Sequence, residues 1–282
     1  MSGRLILIAS YPKSGNTWVR LFFENLLRGS ARPVSINDIE IGFYGYEQRL
    51  FFDSLAPILA ADMLPDEIDD LMPELFAELV AETTGPVFVK VHDRARLTPN
   101  GRWIFPVELV DAVIYLARHP FDVAVSYANH RGVPLVQVVA DLCDEDHAIA
   151  RAGPRMPLPL AERPGSWSSH FESWTRASPY PVTLARYEDL YSRPLQEFAR
   201  LAAAARLDAT EAQIARAVQA TKFDDLKAQE TEAGFRERPR VSPAFFNHGR
   251  PDTWRGALSH HLQLKIVSTQ CTAMTQLGYM SG

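Results

Sequence analysis

One doubly wound α/β domain on a single parallel sheet is the fold class this sequence predicts, and three observations carry it. Short apolar runs at 5–9, 87–91, 112–116 and 182–186 alternate with stretches of helical periodicity across 282 residues. The first run leads into a loop of phosphate-binding character, and candidate ligands stand at the ends of the later runs, where open parallel sheets collect their ligands. At 46% apolar and 22% charged, the chain can bury a substantial core. A formal charge of −5 argues against a nucleic-acid-coating surface, so any anion site must be a local gathering of cations. No stretch approaches the roughly 20 apolar residues that span a bilayer. The N-terminal apolar run is too short for a secretory leader, and Cys143 and Cys271 have no metal-ligand spacing around them. The expectation is one domain over 1–282, cytoplasmic, with no nucleic-acid partner and no membrane span.

Residues 5–18, LILIASYPKSGNTW, read as a buried strand, a tight loop and a helix N-terminus. Amide N–H groups in such a loop and in the first helical turn lack intrahelical partners, and the helix dipole adds partial positive charge. Lys13 supplies a full charge beside them. Laid on the P-loop pattern G-x-x-x-x-G-K-[ST], Gly15 and Thr17 fall on the second glycine and the hydroxyl position, whereas Ser10 replaces the first glycine and Asn16 the lysine. A magnesium-nucleotide hydrolase needs its lysine where Asn16 sits, so the loop suits a different phosphate ligand. Trp18, Leu21, Phe22 and Leu26 then recur at helical spacing, with Gly29 as the stop. The segment from Asp38 to Phe52 is aromatic but broken by Gly42 and Gly45; Phe43, Tyr44 and Tyr46 are either the wall of an acceptor pocket or part of an insert folded on the core. Asp66 to Glu82 reads as an acidic amphipathic helix forming a solvated outer face.

The run VFVKV ends in His92, with Lys90 two residues earlier on the same face. AVIYL is the third strand, and Arg118-His119-Pro120 leaves it, Pro120 fitting the first turn of the next helix. A guanidinium at 118 can fork onto phosphate oxygens, and the Ser126 hydroxyl on that helix can donate one more bond. Residues 134–143 read as a helix, and the acidic cluster after it as a solvated face. The proline-rich segment 151–165 is too irregular for secondary structure and has the length of a lid or substrate loop. Trp167, Phe171 and Trp174 share one face of a helix; Val182 to Arg186 is the fourth strand and runs into RYEDL. Helices follow at 194–204, 210–220 and 223–231, then a polar, arginine-rich segment at 234–256 and a last helix at 259–277.

YPKSGNTW resembles the 5′-phosphosulfate loop of the sulfotransferases that use 3′-phosphoadenosine 5′-phosphosulfate (PAPS), of the form YPKSGTTW, and differs from it only at Asn16. KVH at 90–92 is similar to the K-T-H segment of that family, and LARHPFDVAVSY at 116–127 to its 3′-phosphate segment, with Arg118 and Ser126 on the matching positions. RYEDL is similar to the YEDL element, whose tyrosine lies near the adenine, and Thr221-Lys222-Phe223 to the T-x-F element that flanks the purine. FFNHGRPDTWR resembles the nucleotide-covering segment FxRKGxxGxWK. The chain departs there at Asn247 and His248, which replace the arginine and lysine that reach the 3′-phosphate; Arg250 is the residue placed to compensate.

The resemblance implies the sulfotransferase fold and transfer of a sulfuryl group from PAPS, without a metal, to the hydroxyl of a small acceptor, leaving adenosine 3′,5′-bisphosphate. It assigns His92 as general base, Lys13 to the departing 5′-phosphate and Lys90 to the sulfuryl oxygens or the leaving group. Lys13, Ser14, Gly15, Asn16, Thr17 and Trp18 would hold the 5′ side of the donor. Arg118, Ser126, His248, Gly249 and Arg250 would hold its 3′-phosphate, and Tyr187, Thr221 and Phe223 the purine. Segments 38–82 and 151–165 fall on the acceptor side, and 234–256 over the nucleotide. The acceptor stays open among natural products, phenols, alcohols and glycan or lipid head groups, and the aromatic loops could equally serve a homodimer contact. A P-loop kinase or nucleotide hydrolase, with Asp93 as magnesium ligand, and a non-catalytic nucleotide-binding module are the alternatives.

Overall fold

Side-chain alternation along the first strand decides how the molecule is layered. In a computed structural model, which describes residues 3–42, 49–149 and 160–280, four strands run parallel in the order β2-β1-β3-β4. They are β1 (Arg4–Ser10), β2 (Pro86–Val91), β3 (Val110–Ala117) and β4 (Val182–Arg186). Leu5, Leu7 and Ala9 point to one face and Ile6 and Ile8 to the other, all fully buried. Each such side chain contributes about 1.5–3 kcal/mol for a Val- or Leu-sized group. A central strand covered on both sides explains why 5–9 is a continuous apolar run.

Helices cover both faces, as the doubly wound class requires. α1 (Asn16–Arg28) follows β1, and α2 (Arg49–Leu55) and α3 (Pro65–Glu82) precede β2. α4 (Pro120–Arg131), α5 (Leu135–Leu142) and α6 (Trp167–Glu172) lie between β3 and β4. α7 (Tyr187–Ser192), α8 (Pro194–Ala204), α9 (Glu211–Gln219), α10 (Phe223–Ala233) and α11 (His260–Gln276) complete the chain. Phe22 and Phe23 of α1, Phe198 of α8 and Ile214 of α9 pack with Ile6 and Ile8. Residues of α3, α4, α5 and α11 pack with Leu5 and Leu7 on the other face. No helix among the described residues is long and apolar enough to cross a membrane.

The strand order places a switch point between β1 and β3, whose following connections leave in opposite directions and open a crevice at their carboxyl ends. Into that crevice come the loop after β1, with Lys13, and the turn after β3, with Arg118. α1 starts at Asn16, behind Gly15 at φ 103. A Cβ there would stand 2.9 Å from the Tyr187 ring, so both the backbone and the neighbour demand glycine.

One expectation needs revision. The α3 surface is not simply a solvated face: Ile68, Met72, Phe76 and Leu79 enter the core, and Asp69 is buried, accepting from Arg96 Nη1 and Nη2 at 2.8 Å each and from Arg163 Nη1 at 2.8 Å. The partners lie 27 and 94 residues away in sequence, which is why α3 alone reads as a wet acidic helix. Phe51 and Phe52 of α2 are buried, so that end of the aromatic segment packs on the core. Phe43, Tyr44 and Tyr46, and residues 151–159 of the proline-rich loop, lie outside the described residues.

Candidate active site

A cavity of about 780 Å³ opens at the carboxyl ends of β1, β2 and β3. Its floor is the loop after β1. Lys13 adopts φ 70, a left-handed conformation that costs an L residue about 1–2 kcal/mol. Its ammonium lies 3.4 Å from His130 Nδ1 and 4.0 Å from the centre of the Phe245 ring. Burial, then the neighbouring charges of Arg118 and Lys90, pull its pKa down to about 7, with Glu237 opposing. An amine this perturbed, with Arg118 and Lys90 beside it, gains stability in its charged form when negative charge comes near.

Arg118, buried at the end of β3, meets this loop directly. Nη1 donates to the Lys13 carbonyl at 3.2 Å, Nη2 donates to the Arg250 carbonyl at 3.3 Å, and the guanidinium stacks 4.2 Å from the Tyr187 ring centre. Its Nε has no partner among the described residues. The arginine therefore joins the phosphate-type loop to segment 234–256. Ser126, two turns along α4, lines the same cavity.

Buried carboxylates fasten that segment. Asp122 in the first turn of α4 accepts from Asp252 N at 2.8 Å, Thr253 Oγ1 at 2.7 Å and Trp254 N at 3.1 Å. Glu230 of α10 accepts from Phe245 N and Phe246 N, each at 2.8 Å. Between them Gly249 takes φ 63, and a Cβ there would fall 2.0 Å from the Phe223 ring, a contact only glycine permits. Asp122→Ala should lower the unfolding free energy by about 2–4 kcal/mol, since bonds to a carboxylate are lost and their donors stay desolvated. Urea denaturation measures this, and a loss below about 0.5 kcal/mol, as for an ordinary surface change, would show that the segment is fastened elsewhere.

His92 is half-buried at the end of β2. Its Nδ1 lies 2.8 Å from the Ser10 carbonyl, which can only accept, so Nδ1 carries the proton and Nε2 keeps its lone pair. Burial, then Lys90, push its pKa well below the ordinary value of 6.5, against the Ser10 bond. The ring is therefore neutral at physiological pH. Behind it, the His170 ring Nε2 donates to the His92 carbonyl at 3.2 Å and its Nδ1 accepts from the Tyr115 hydroxyl at 2.9 Å, fixing the strand end.

Trp18, Tyr187, Thr221 and Phe223 line one side of the cavity. The Trp18 indole N–H donates to Thr221 Oγ1 at 3.3 Å and its ring sits edge-on to Tyr187 at 5.7 Å. This gathers three separate sequence segments into one aromatic wall.

Other expected ligands stand differently from the simplest reading. The Asn16 amide turns back, Nδ2 donating to the Ile8 carbonyl at 2.9 Å and to Ser10 Oγ at 3.2 Å, so it braces the helix start. Ser14 is fully buried, its Oγ outside the cavity lining and without a partner among the described residues. Arg250 contributes its carbonyl to Arg118, with an exposed side chain, while His248 lines the cavity mouth. Asp93 is buried away from the cavity, accepting from Arg96 Nε at 3.0 Å and from Arg163 N.

Residues the sequence did not single out also line the cavity: Arg20, Tyr127, His130, Arg131 and Glu237. His130 is held neutral, with its pKa down to about 3, first by burial and then by Lys13 and Lys90. Glu237 stays below the ordinary carboxylate value: burial opposes this, but the charge and hydrogen bond of Arg20 outweigh it. The signal that could have found two of them is helical spacing, Arg20 three residues after Thr17 and His130 four after Ser126.

A family model of the sulfotransferase domain matches residues 4–278. The chain is 26% identical to Sulfotransferase 1B1 of Mus musculus over 223 residues, 79% of this chain and 65% of that protein, so the match spans less than two thirds of that relative. It is 26% identical to Cytosolic sulfotransferase 1 of Danio rerio over 256 residues, 89% of this chain and 76% of that protein. Among solved structures, a retinol dehydratase in complex with androsterone and inactive cofactor PAP aligns with a TM-score of 0.62 at 17% identity, covering 96% of this chain and 80% of that one. A mouse sulfotransferase, SULT7A1 complexed with PAP, aligns with a TM-score of 0.58 at 17% identity, covering 96% and 84%. At such identities the structural likeness is one of fold. With the domain model running from the first strand to beyond the last helix, the chain belongs to the sulfotransferase family.

Proposed function

We propose that this protein transfers a sulfuryl group from PAPS to a hydroxyl of a small-molecule acceptor, releasing adenosine 3′,5′-bisphosphate. The observation that carries the reading is the pairing of two cation sites in one crevice. Lys13, on its perturbed pKa, and Arg118, bonded through Nη1 to the Lys13 carbonyl and through Nη2 to the Arg250 carbonyl, suit a donor with two separate phosphates. The relatives are named as sulfotransferases, and the structural neighbours are described in complex with PAP. The Lys13 ammonium, the loop amides and the Thr17 hydroxyl would hold the 5′-phosphate, Arg118 and Ser126 the 3′-phosphate, and the Trp18, Tyr187, Thr221 and Phe223 wall the purine.

His92 would act as general base. Its Nε2 lone pair is available because the proton sits on Nδ1, whose N–H donates to the Ser10 carbonyl. The acceptor hydroxyl passes its proton to Nε2 as its oxygen attacks sulfur in line; the bond from sulfur to the bridging phosphate oxygen breaks, and the electron pair stays on the departing phosphate. Lys13 would stabilise that developing charge, and Lys90 would steady the sulfuryl oxygens or the leaving group. Segments 38–82 and 151–165 we assign to the acceptor side and 234–256 to the donor side, in one domain over 1–282. A cytoplasmic setting accords with the zebrafish relative's name.

The test uses radiolabelled PAPS with a panel of phenols, alcohols, sterols, glycosides and lipid head groups, and parallel reactions with ATP and magnesium. Label moving from PAPS to an acceptor supports the reading; phosphoryl transfer from ATP, with none from PAPS, overturns it.

A further inference from the structure

Arg20 is an unusual residue to find on the inner side of the helix that follows a phosphate-type loop. It is 3% exposed, one turn beyond Thr17 in α1, and its guanidinium ties three segments that enclose the cavity. Nη2 donates to Thr17 Oγ1 at 3.3 Å and to Glu237 Oε2 at 2.6 Å, and Nη1 donates to the Ile41 carbonyl at 3.2 Å. Gly42 follows at φ 84, where a Cβ would meet Arg20 Cδ at 2.9 Å, so the chain is shaped around this side chain. Thr17, Arg20 and Glu237 all line the cavity.

A threonine hydroxyl has one hydrogen to give and two lone pairs to receive. Here one lone pair is taken by a guanidinium N–H, and among the described residues no protein acceptor takes the hydrogen. A cation bound to the oxygen makes that hydroxyl a better donor and holds its rotor. Glu237, ionised beside Arg20, offsets the arginine's charge and pins its fork. We propose that Arg20 is a positioning residue of the donor site: it sets the Thr17 hydroxyl to donate to the 5′-phosphate, and through Glu237 it links that hydroxyl to segment 234–256. The inference rests on the donor reading above and adds to it a residue that acts through the Thr17 hydroxyl.

The experiment is a double-mutant cycle read by titration calorimetry on the full chain, with two probes, adenosine 3′,5′-bisphosphate and adenosine 3′-phosphate. Thr17→Val should weaken the bisphosphate about tenfold, as expected for a hydrogen bond to a charged group. Arg20→Gln should weaken it about fivefold or more alone, and by less than about twofold in the Thr17→Val background, because the residue acts through the hydroxyl. Neither change should alter the affinity for adenosine 3′-phosphate, which lacks the 5′ group; a general loosening of the fold would lower both. Thr17→Ser, which keeps the hydroxyl, should restore binding. Should Arg20→Gln not fold, Arg20→Lys is run in the same cycle with the same expectation, since a lysine cannot fork to Thr17, Glu237 and Ile41 together. Equal losses in both backgrounds, or equal losses for both probes, overturn the proposal, as does a failure of both Arg20 variants to fold, which would give the residue a purely structural role. Wild-type protein that binds neither nucleotide would instead sink the donor reading itself.

Discussion

Replacing His92 by alanine is expected to lower turnover by about 10²-fold or more, while the affinity for adenosine 3′,5′-bisphosphate stays unchanged. The magnitude is that of removing a positioned base, and the selectivity follows from geometry: the ring is anchored to Ser10 at the end of β1, not to the aromatic wall that gathers Trp18, Tyr187 and Thr221. A base must also be unprotonated to act. Burial and Lys90 hold His92 well below 6.5, so it is neutral across the physiological range, and its titration should not appear in the rate profile between about pH 7 and pH 8. Steady-state rates with a saturating acceptor, beside calorimetry on the same preparation, separate the two effects. Near-normal turnover would remove His92 from the chemistry, and a parallel loss of nucleotide binding would make its role structural.

Lys13→Met should do both: weaken the bisphosphate by about 10–100-fold, the worth of a charge-assisted hydrogen bond, and slow transfer further, because charge on the leaving oxygen grows toward the transition state. The unmodified protein carries a pH signature of the same residue. Phosphate needs the ammonium form, and the empty site holds that amine at a pKa of about 7. A bound dianion raises it, so binding takes up a proton once the pH exceeds the value of the empty site. Affinity is therefore full at lower pH and falls above about pH 7 by up to about tenfold per unit, until the pKa of the complex is reached. In Lys13→Met that slope should vanish. A slope that survives the substitution would assign the titration to another group, and an unchanged affinity would remove Lys13 from the donor site.

The sheet and the phosphate-type loop were legible because their signals are local. Ile6 and Ile8 on one face and Leu5 and Leu7 on the other make a continuous apolar run, Gly15 marks the left-handed turn, and Gly29 at φ 58 ends α1 as expected. Arg118 and Ser126 were paired through the resemblance of residues 116–127 to the family's 3′-phosphate segment, and both line the cavity. What stayed hidden depends on partners far along the chain. Arg20 meets Glu237 across 217 residues, Asp122 meets the 252–254 amides across about 130, and neither spacing has a sequence signature. The side-chain directions of Ser14 and Asn16 are hidden for a different reason. Their positions in the motif are right, but rotamers are set by the tightness of the turn, which sends the Asn16 amide back to Ile8 and buries Ser14. His130 meets Lys13 only through the fold, across 117 residues of sequence.

Two separated phosphates on one donor are the central claim, and calorimetry with adenosine 3′,5′-bisphosphate and adenosine 5′-phosphate tests it most directly, in wild-type protein and in Arg118→Ala. The bisphosphate should bind more tightly than the monophosphate by about tenfold or more, the worth of one forked guanidinium contact, and Arg118→Ala should abolish that preference. Equal affinities for the two nucleotides in the wild-type protein, or a preference that survives Arg118→Ala, would contradict a site built for both phosphates.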